Sequence, residues 1–340
     1  MLLNNAGDPF DHSGYWRTHT KHFECEVIHF FGKLFHFQDV WGYVTSGGTE
    51  GNLEGLYVGR NYLRTKYNKV PKAFYSTASH YSIKKNVDIL GMDLVALPVN
   101  AKDEMDLAAF EKAITETPLD VPLLISVNIG TTMKGAIDDF QQIVQILKRH
   151  NREDYYIHAD MALYGLIYRF YGDFDGANFS QYISSFAISG HKLLAQSAPC
   201  GIFIGHKEKI DVGFDTQWVS YIGSRDNTIS GSRNGLLALL LHAKVSKGEE
   251  YLKQQANSCI EVCNYLYQQM NEVLHYPCHR ANDQYAVIVY FDKPPEEICV
   301  KYQLAVHQNN LSHVVCMPHI SKEMIDGFIS DLRNATQNMI

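Results

Sequence analysis

The stretch Tyr155–Lys192, YYIHADMALYGLIYRFYGDFDGANFSQYISSFAISGHK, contains two short strand-like runs, YYIHA (155–159) and SFAIS (185–189), each ending in residues able to do chemistry. The first leads into Asp160, with His158 just before it, and the second into Ser189, Gly190, His191 and Lys192. The same kind of run, β-branched or aromatic and bounded by Gly, Ser, Asp or Asn, recurs on both sides: WGYVT (41–45), AFYS (73–76), LVAL (94–97), LLISVN (123–128) and GIFIG (201–205). Segments with helical spacing lie between them, at about 49–67, 80–90, 106–116 and 138–150. Alternation of this kind predicts an α/β fold with a mostly parallel sheet covered by helices on both faces. Ligand chemistry is then expected at the carboxyl ends of the strands.

After Ser230 the pattern changes. Helices are expected at about 232–247 and 249–273, then a strand at Tyr285–Phe291, a helix near 296–307, a strand at His313–Met317 and a last helix at 321–336. The expected organisation is an N-terminal helical segment over 1–40, with one amphipathic helix within Thr18–Phe37, a large α/β domain over 41–248 and a small α+β domain over 249–340.

With 340 residues, 46% hydrophobic and 20% charged, the chain has the composition of an ordinary globular protein. Thirty Lys+Arg against 37 Asp+Glu, scattered singly, exclude an electrostatic case for nucleic acid or an anionic membrane. The longest apolar runs, such as GLLALLLHA (235–243), are too short to span a bilayer, and MLLNNAGDPFDH (1–12) lacks the pattern of a secretory signal. Seven cysteines in apolar contexts fit reduced thiols and a cytoplasmic location.

Three segments invite functional readings. TSGGTEGN (45–52) lies between a strand and a helix, where glycine admits close backbone approach and free N–H groups favour a phosphate; it also reads as a glycine turn capped by Thr49. Asp160, at a strand end, could pair with a cationic ring nitrogen or a metal, or simply cap a turn beside a core His158. Lys192 could form an imine with a carbonyl if partly desolvated, or be an ordinary exposed lysine. In this order, a phosphate loop, a strand-end carboxylate and a strand-end amine about 30 residues later are what pyridoxal phosphate requires.

GYVTSGGTEGN (42–52), SHYSIKK (79–85), VNIGTTMKGAIDD (127–139), YYIHADMALYG (155–165), ISGHK (188–192), APCG (198–201) and ISGSRNG (229–235) together resemble the pyridoxal-phosphate-dependent group II amino-acid decarboxylases. Histidine decarboxylases of bacteria and plant serine decarboxylases are the most similar members. The resemblance runs from NNAGDPF (4–10) to HVVCMP (313–318). It implies the fold type I, aspartate-aminotransferase-like architecture and a homodimer with shared active sites. It also implies that relatives carry residues ahead of NNAGDP that tie the dimer together, so that this chain looks short at its start.

Carried over by position, the resemblance makes Lys192 the Schiff-base lysine, Asp160 the pyridinium partner, and His80 a ring-stacking residue that also contacts substrate. Gly47, Gly48, Thr49 and Ser189 match the phosphate site, Ala162 the small residue beneath the ring, and His191 a residue orienting the cofactor. Ser230 and Ser232 match a segment that reaches the neighbouring subunit's phosphate site. The implied reaction is decarboxylation of an L-amino acid, histidine to histamine, with serine to ethanolamine as the alternative; Lys192, His80 or Tyr221 would return the proton to Cα. A carboxylate clamped by an arginine would instead favour breaking a different bond.

Met161, the stretch LLAQSAPCG (193–201) and Leu236 depart from the family pattern, which motivates a second alternative, a relative that binds the cofactor without turnover. An aminotransferase or another lyase is a third. Cys259, Cys263, His275, Cys278 and His279 superficially resemble a zinc set. The i,i+4 spacing of Cys259 and Cys263 beside Ile260 and Leu266 reads instead as small core residues, and no metal is expected.

Overall fold

The structure is a computed structural model that describes residues 2–11, 14–15, 18–214, 218–307 and 310–337. In chain order, α1 (Lys21–Leu34) leads to β1 (Val40–Thr45), α2 (Gly48–Tyr67), β2 (Lys72–Ser76), α3 (Tyr81–Ile89), β3 (Leu94–Leu97), α4 (Leu107–Thr115), β4 (Leu123–Asn128) and α5 (Phe140–Arg149). Next come β5 (Tyr155–Asp160), α6 (Gly165–Tyr171), α7 (Gly176–Tyr182), β6 (Ser185–Ser189), β7 (Gly201–His206) and α8 (Lys207–Gly213). A small ribbon, β8 (Trp218–Val219) and β9 (Ser224–Arg225), precedes α9 (Gly235–Val245) and α10 (Glu249–Gln268). The chain continues with β10 (Cys278–His279), β11 (Ile288–Asp292), α11 (Glu296–Tyr302), β12 (Ala305–Val306), β13 (Leu311–Val315) and α12 (Lys322–Gln337).

Seven strands form the main sheet in the order β1-β7-β6-β5-β4-β2-β3. β6, β5, β4, β2 and β3 run parallel, while β7 is antiparallel to both of its neighbours. Strands β1, β4 and β6 are buried along their whole length, as helices on both faces require. The expected strands of this sheet are all present. The antiparallel β7 was not foreseen, because strand direction is not written in a five-residue apolar run.

The helices follow local rules. Asp106 and Asp139 accept backbone N–H bonds at the starts of α4 and α5. α5 buries Phe140, Ile143, Val144, Ile146 and Leu147 on one face and ends on Lys148 and Arg149, which complement its dipole. Three short helices, α6, α7 and α8, were not expected; at seven residues each they hold too few turns for a periodic signal. The helix expected near 296–307 stops at Tyr302, because Gln303 turns left-handed (φ 50°) and the chain enters β12. The strand expected at Tyr285–Phe291 begins at Ile288, and the one at His313–Met317 is shifted to Leu311–Val315. The helix expected over 249–273 changes to a π turn at Gln269–Val273.

The second, smaller sheet, β10-β11-β13-β12, is wholly antiparallel. One core lies with the main sheet and takes in Val27, Ile28 and Phe31 of α1; another, with Phe291, Ile325, Phe328 and Leu332, belongs to the C-terminal unit. α10 belongs to both, giving Cys259 and Ile260 to the first core and Cys263 and Leu266 to the second. No helix among the described residues is long and apolar enough to cross a membrane.

Candidate active site

The carboxyl ends of the parallel strands open onto a cavity of about 540 Å³. Lys192, His80, Asp160, Gly47, Gly48, Thr49, Ala162, Ser189 and His191 all line it. They come from four separate stretches of chain, which the strand order brings to one edge of the sheet.

The loop after β1 turns directly into the 20-residue α2, whose N-cap is Gly47 and which no side chain caps. Its first N–H groups are therefore available to an anion, reinforced by the helix dipole. The space in front is tight: a Cβ on Gly48 would lie 2.8 Å from Ser189 Oγ and 3.2 Å from Ala162 Cβ. Glu50 steadies the loop, accepting the Ser46 N–H at 2.8 Å. Asn86 of α3 donates to the Thr49 carbonyl at 3.0 Å. The His191 ring is tethered at Nδ1, within hydrogen-bond distance of both the N and O of Cys200.

Asp160 ends β5 and is 7% exposed. Its Oδ1 accepts the Ala162 N–H at 3.0 Å and its Oδ2 the Asn52 side-chain amide at 2.8 Å. The Asn52 oxygen lies 3.0 Å from His158 Nε2, and His158 Nδ1 lies 2.8 Å from Ser185 Oγ. Because Asn52 directs its amide hydrogens at a carboxylate, its oxygen must accept, so His158 carries its proton on Nε2 and Ser185 donates to Nδ1. Burial pushes the His158 pKa down to about 4 despite the opposing pull of Asp160, so the ring is neutral. The chain Ser185–His158–Asn52 thus fixes the Asp160 carboxylate with hydrogen bonds rather than with a cation, leaving its charge for a ligand.

Lys192 is partly buried. Burial lowers its pKa and the Asp160 carboxylate opposes that shift. His80 caps α3: the Ser82 N–H donates to its Nδ1 at 3.3 Å and Ser82 Oγ lies 2.7 Å from the same atom, so the ring proton sits on Nε2. Burial, then the neighbouring Lys192 and Lys85, lower the His80 pKa against the pull of Asp160. A helix start with free N–H groups, a carboxylate fixed by hydrogen bonds and a desolvated amine in one cavity fit pyridoxal phosphate.

Several lining residues escaped sequence reasoning: Asn52, Asn128, Thr132, His313, Val315 and Met317. Asn52 and Asn128 lay inside quoted motifs, but asparagine is common at helix starts and strand ends and carried no separate signal. Asn128 is held by Asp138, which accepts its N–H at 2.7 Å and its side-chain amide at 2.8 Å. Full burial raises the Asp138 pKa to about 6 against the pull of its three hydrogen-bond donors.

Other expected residues lie apart from the cavity. Ser230 Oγ donates to Glu50 Oε1 at 2.8 Å, Ser232 is exposed and accepts from Asn4 at 3.2 Å, and Tyr221 is 78% exposed. Met161 is fully buried in the main core and does not line the cavity, so it does not crowd a ligand there. The 193–198 departure forms a turn with Ala195 left-handed at φ 52°, closed by the Ala195 N–H to the Lys192 carbonyl at 2.8 Å. Cys259, Cys263 and Cys278 are buried core residues, and no group of three or more potential metal ligands is found among the described residues.

The pyridoxal-dependent decarboxylase conserved domain matches residues 42–292. The chain is 37% identical to serine decarboxylase 3 of Oryza sativa subsp. japonica, over 97% of this chain and 73% of that protein. It is 36% identical to the histidine decarboxylase of Solanum lycopersicum (97% and 78%) and 35% identical to that of Vibrio anguillarum (97% and 84%). Among solved structures, L-methionine decarboxylase from Streptomyces sp. 590, in complex with L-methionine methyl ester, superposes with a TM-score of 0.83 over 98% of this chain and 86% of that one, at 25% identity. Family, fold and cavity agree: this chain belongs to the pyridoxal-phosphate-dependent amino-acid decarboxylases.

Proposed function

We propose that the enzyme decarboxylates L-histidine to histamine. The observation that carries the choice of bond is the cavity's charge pattern. Lys192, Asp160 and the open end of α2 meet there, and among the described residues no arginine lines the cavity to clamp a substrate carboxylate. Pyridoxal phosphate, when bound, supplies an aldehyde for the substrate amine and a protonated ring that accepts the electron pair left when CO₂ departs.

The chain's residues divide the remaining work. Lys192, its amine made more available by burial, would be the residue to hold the cofactor's aldehyde. Asp160, oriented by Asn52 and Ala162, would pair with the pyridine nitrogen and favour its protonated form. The N–H groups at Gly48 and Thr49, with Gly47, Ser189 and His191, would hold the phosphate, and Ala162 would leave room for the ring. His80, fixed by Ser82, would be the residue to stack against the ring and meet the substrate. The cavity's neutral donors leave the substrate carboxylate poorly solvated, which favours the spread-out charge formed as CO₂ leaves. Lys192 and His80 line the cavity as donors for Cα, whereas Tyr221, exposed outside the cavity of its own chain, could serve only the site of a second copy. Two copies share their sites, each sending its Ser230–Ser232 segment toward the other's phosphate site.

Serine to ethanolamine is the second reading, favoured by 37% identity to a serine decarboxylase against 36% and 35% to two histidine decarboxylases. CO₂ release from the purified holoenzyme against a panel of L-amino acids decides between them. Histidine should give the highest kcat/KM. A higher value for serine replaces the first reading with the second, and no CO₂ from any amino acid overturns both in favour of a cofactor-binding protein without turnover.

A further inference from the structure

The large-unit side of the cavity accounts for the cofactor. The opposite wall comes from one face of the C-terminal sheet. Residues of β11 and β13 alternate between two surroundings: Val289, Phe291 and Val314 pack in the C-terminal core, whereas Ile288 and Val315 pack toward the main one. His313 stands opposite Tyr290 in the register and so shares that second face. The Tyr290 ring lies against Lys134 of the large unit, 5.5 Å from its amine.

This face brings His313, Val315 and Met317 to the cavity. Two are apolar. His313 Nδ1 is buried with no hydrogen-bond partner. An orphaned polar atom costs free energy in a folded protein unless a ligand completes it. Burial, then nearby His307, depress the ring's pKa, so His313 presents a neutral imidazole with one donor and one acceptor. The large unit already gives the cavity neutral polar groups, His80, Asn128 and Thr132 among them. A lone imidazole beside Val315 and Met317 suits an amphipathic side chain better than a carboxylate.

We propose that His313 is a specificity-determining residue that hydrogen-bonds the polar side chain of the amino-acid substrate, selecting amino acids with a hydrogen-bonding side chain over apolar ones. The inference rests on the decarboxylase reading of the cavity and extends it to the substrate's far end. It accommodates a hydroxyl or an imidazole, since each can both donate and accept. An apolar side chain would leave Nδ1 buried and unpaired in the complex, and sites built to hydrogen-bond a substrate discriminate strongly against analogues lacking the group.

The test is equilibrium binding of L-histidine, L-serine and L-leucine to the holoenzyme, followed by the change in cofactor absorbance, with kcat/KM measured alongside. The wild type should prefer the polar amino acids. His313→Leu should reduce that preference about 10–100-fold, and His313→Gln, which keeps a donor and an acceptor, should retain most of it. A preference unchanged in His313→Leu overturns the proposal. So does an equal loss for polar and apolar amino acids, which would mark a contact to the shared carboxylate or a general collapse. Should His313→Leu not load cofactor, His313→Met, which likewise lacks a donor, is read by the same criteria. A binding preference that follows His313 with no CO₂ released would leave this inference standing and defeat the decarboxylation reading.

Discussion

His158 illustrates how a residue away from the reacting atoms sets their chemistry. It does not line the cavity, yet through Asn52 it fixes the carboxylate that does. Its folded pKa, about 4, lies below the ordinary histidine value because burial penalises the charged ring. The contribution of the neutral ring is therefore fully present above about pH 6.5. It is lost as pH falls toward 4, where the unfolded chain takes up a proton that the folded chain refuses. The stability difference between wild type and His158→Gln, from denaturant unfolding, should shrink by about 3 kcal/mol between pH 7.5 and pH 4. Asp138, whose raised pKa acts in the opposite direction, is present in both proteins and cancels. A difference independent of pH would contradict a buried neutral ring. His158 also shows what could be read in advance. Asp160 and Lys192 were legible because their residue types and strand-end positions restrict what they can do, whereas the role of His158 exists only once α2 lies over β5.

At the scale of elements, α2 is the part on which the site depends most. Gly48, Gly51, Gly55 and Gly59 recur along it at helical spacing, and each faces a neighbouring side chain too closely for a Cβ. At Gly55 a Cβ would sit 2.1 Å from His158 Nδ1. Gly55→Ala should therefore destabilise the fold by about 1–3 kcal/mol or more. It should also weaken cofactor binding by displacing the His158–Asn52–Asp160 chain, as read by thermal unfolding and a cofactor titration. Wild-type values for both would contradict this packing. The glycine spacing was present in the sequence, but its meaning depends on which strands lie beneath the helix. The strands of the main sheet were legible because fully buried strands are nearly continuous apolar runs; α6, α7 and α8, of one to two turns each, were not. The His313 wall was hidden for another reason: it lies more than 100 residues after the Lys192 it faces across the cavity.

The whole molecule places its catalytic candidates where two structural units meet, with the main sheet supplying the cofactor side and the smaller sheet the far wall. The N-terminal stretch is bound into this plan by a buried ion pair. Arg233 and Glu24 lie 3.1 Å apart at 3% and 1% side-chain exposure, and Glu24 also accepts the Val44 N–H at the start of the phosphate loop. Arg233 follows Ser232 directly, so the segment expected to reach a neighbouring subunit is anchored within its own chain. On either side of it in the sequence, Tyr221, Ile229 and Leu236 are exposed. Sedimentation at assay concentration should give a dimer, and a fully active monomer would contradict the shared-site arrangement. The account as a whole stands on Lys192 as the residue that holds the cofactor. Borohydride reduction of the holoenzyme followed by peptide mass mapping should place the pyridoxyl group on Lys192, with no adduct in Lys192→Ala; a label on another lysine, or no label in the wild type, would contradict it.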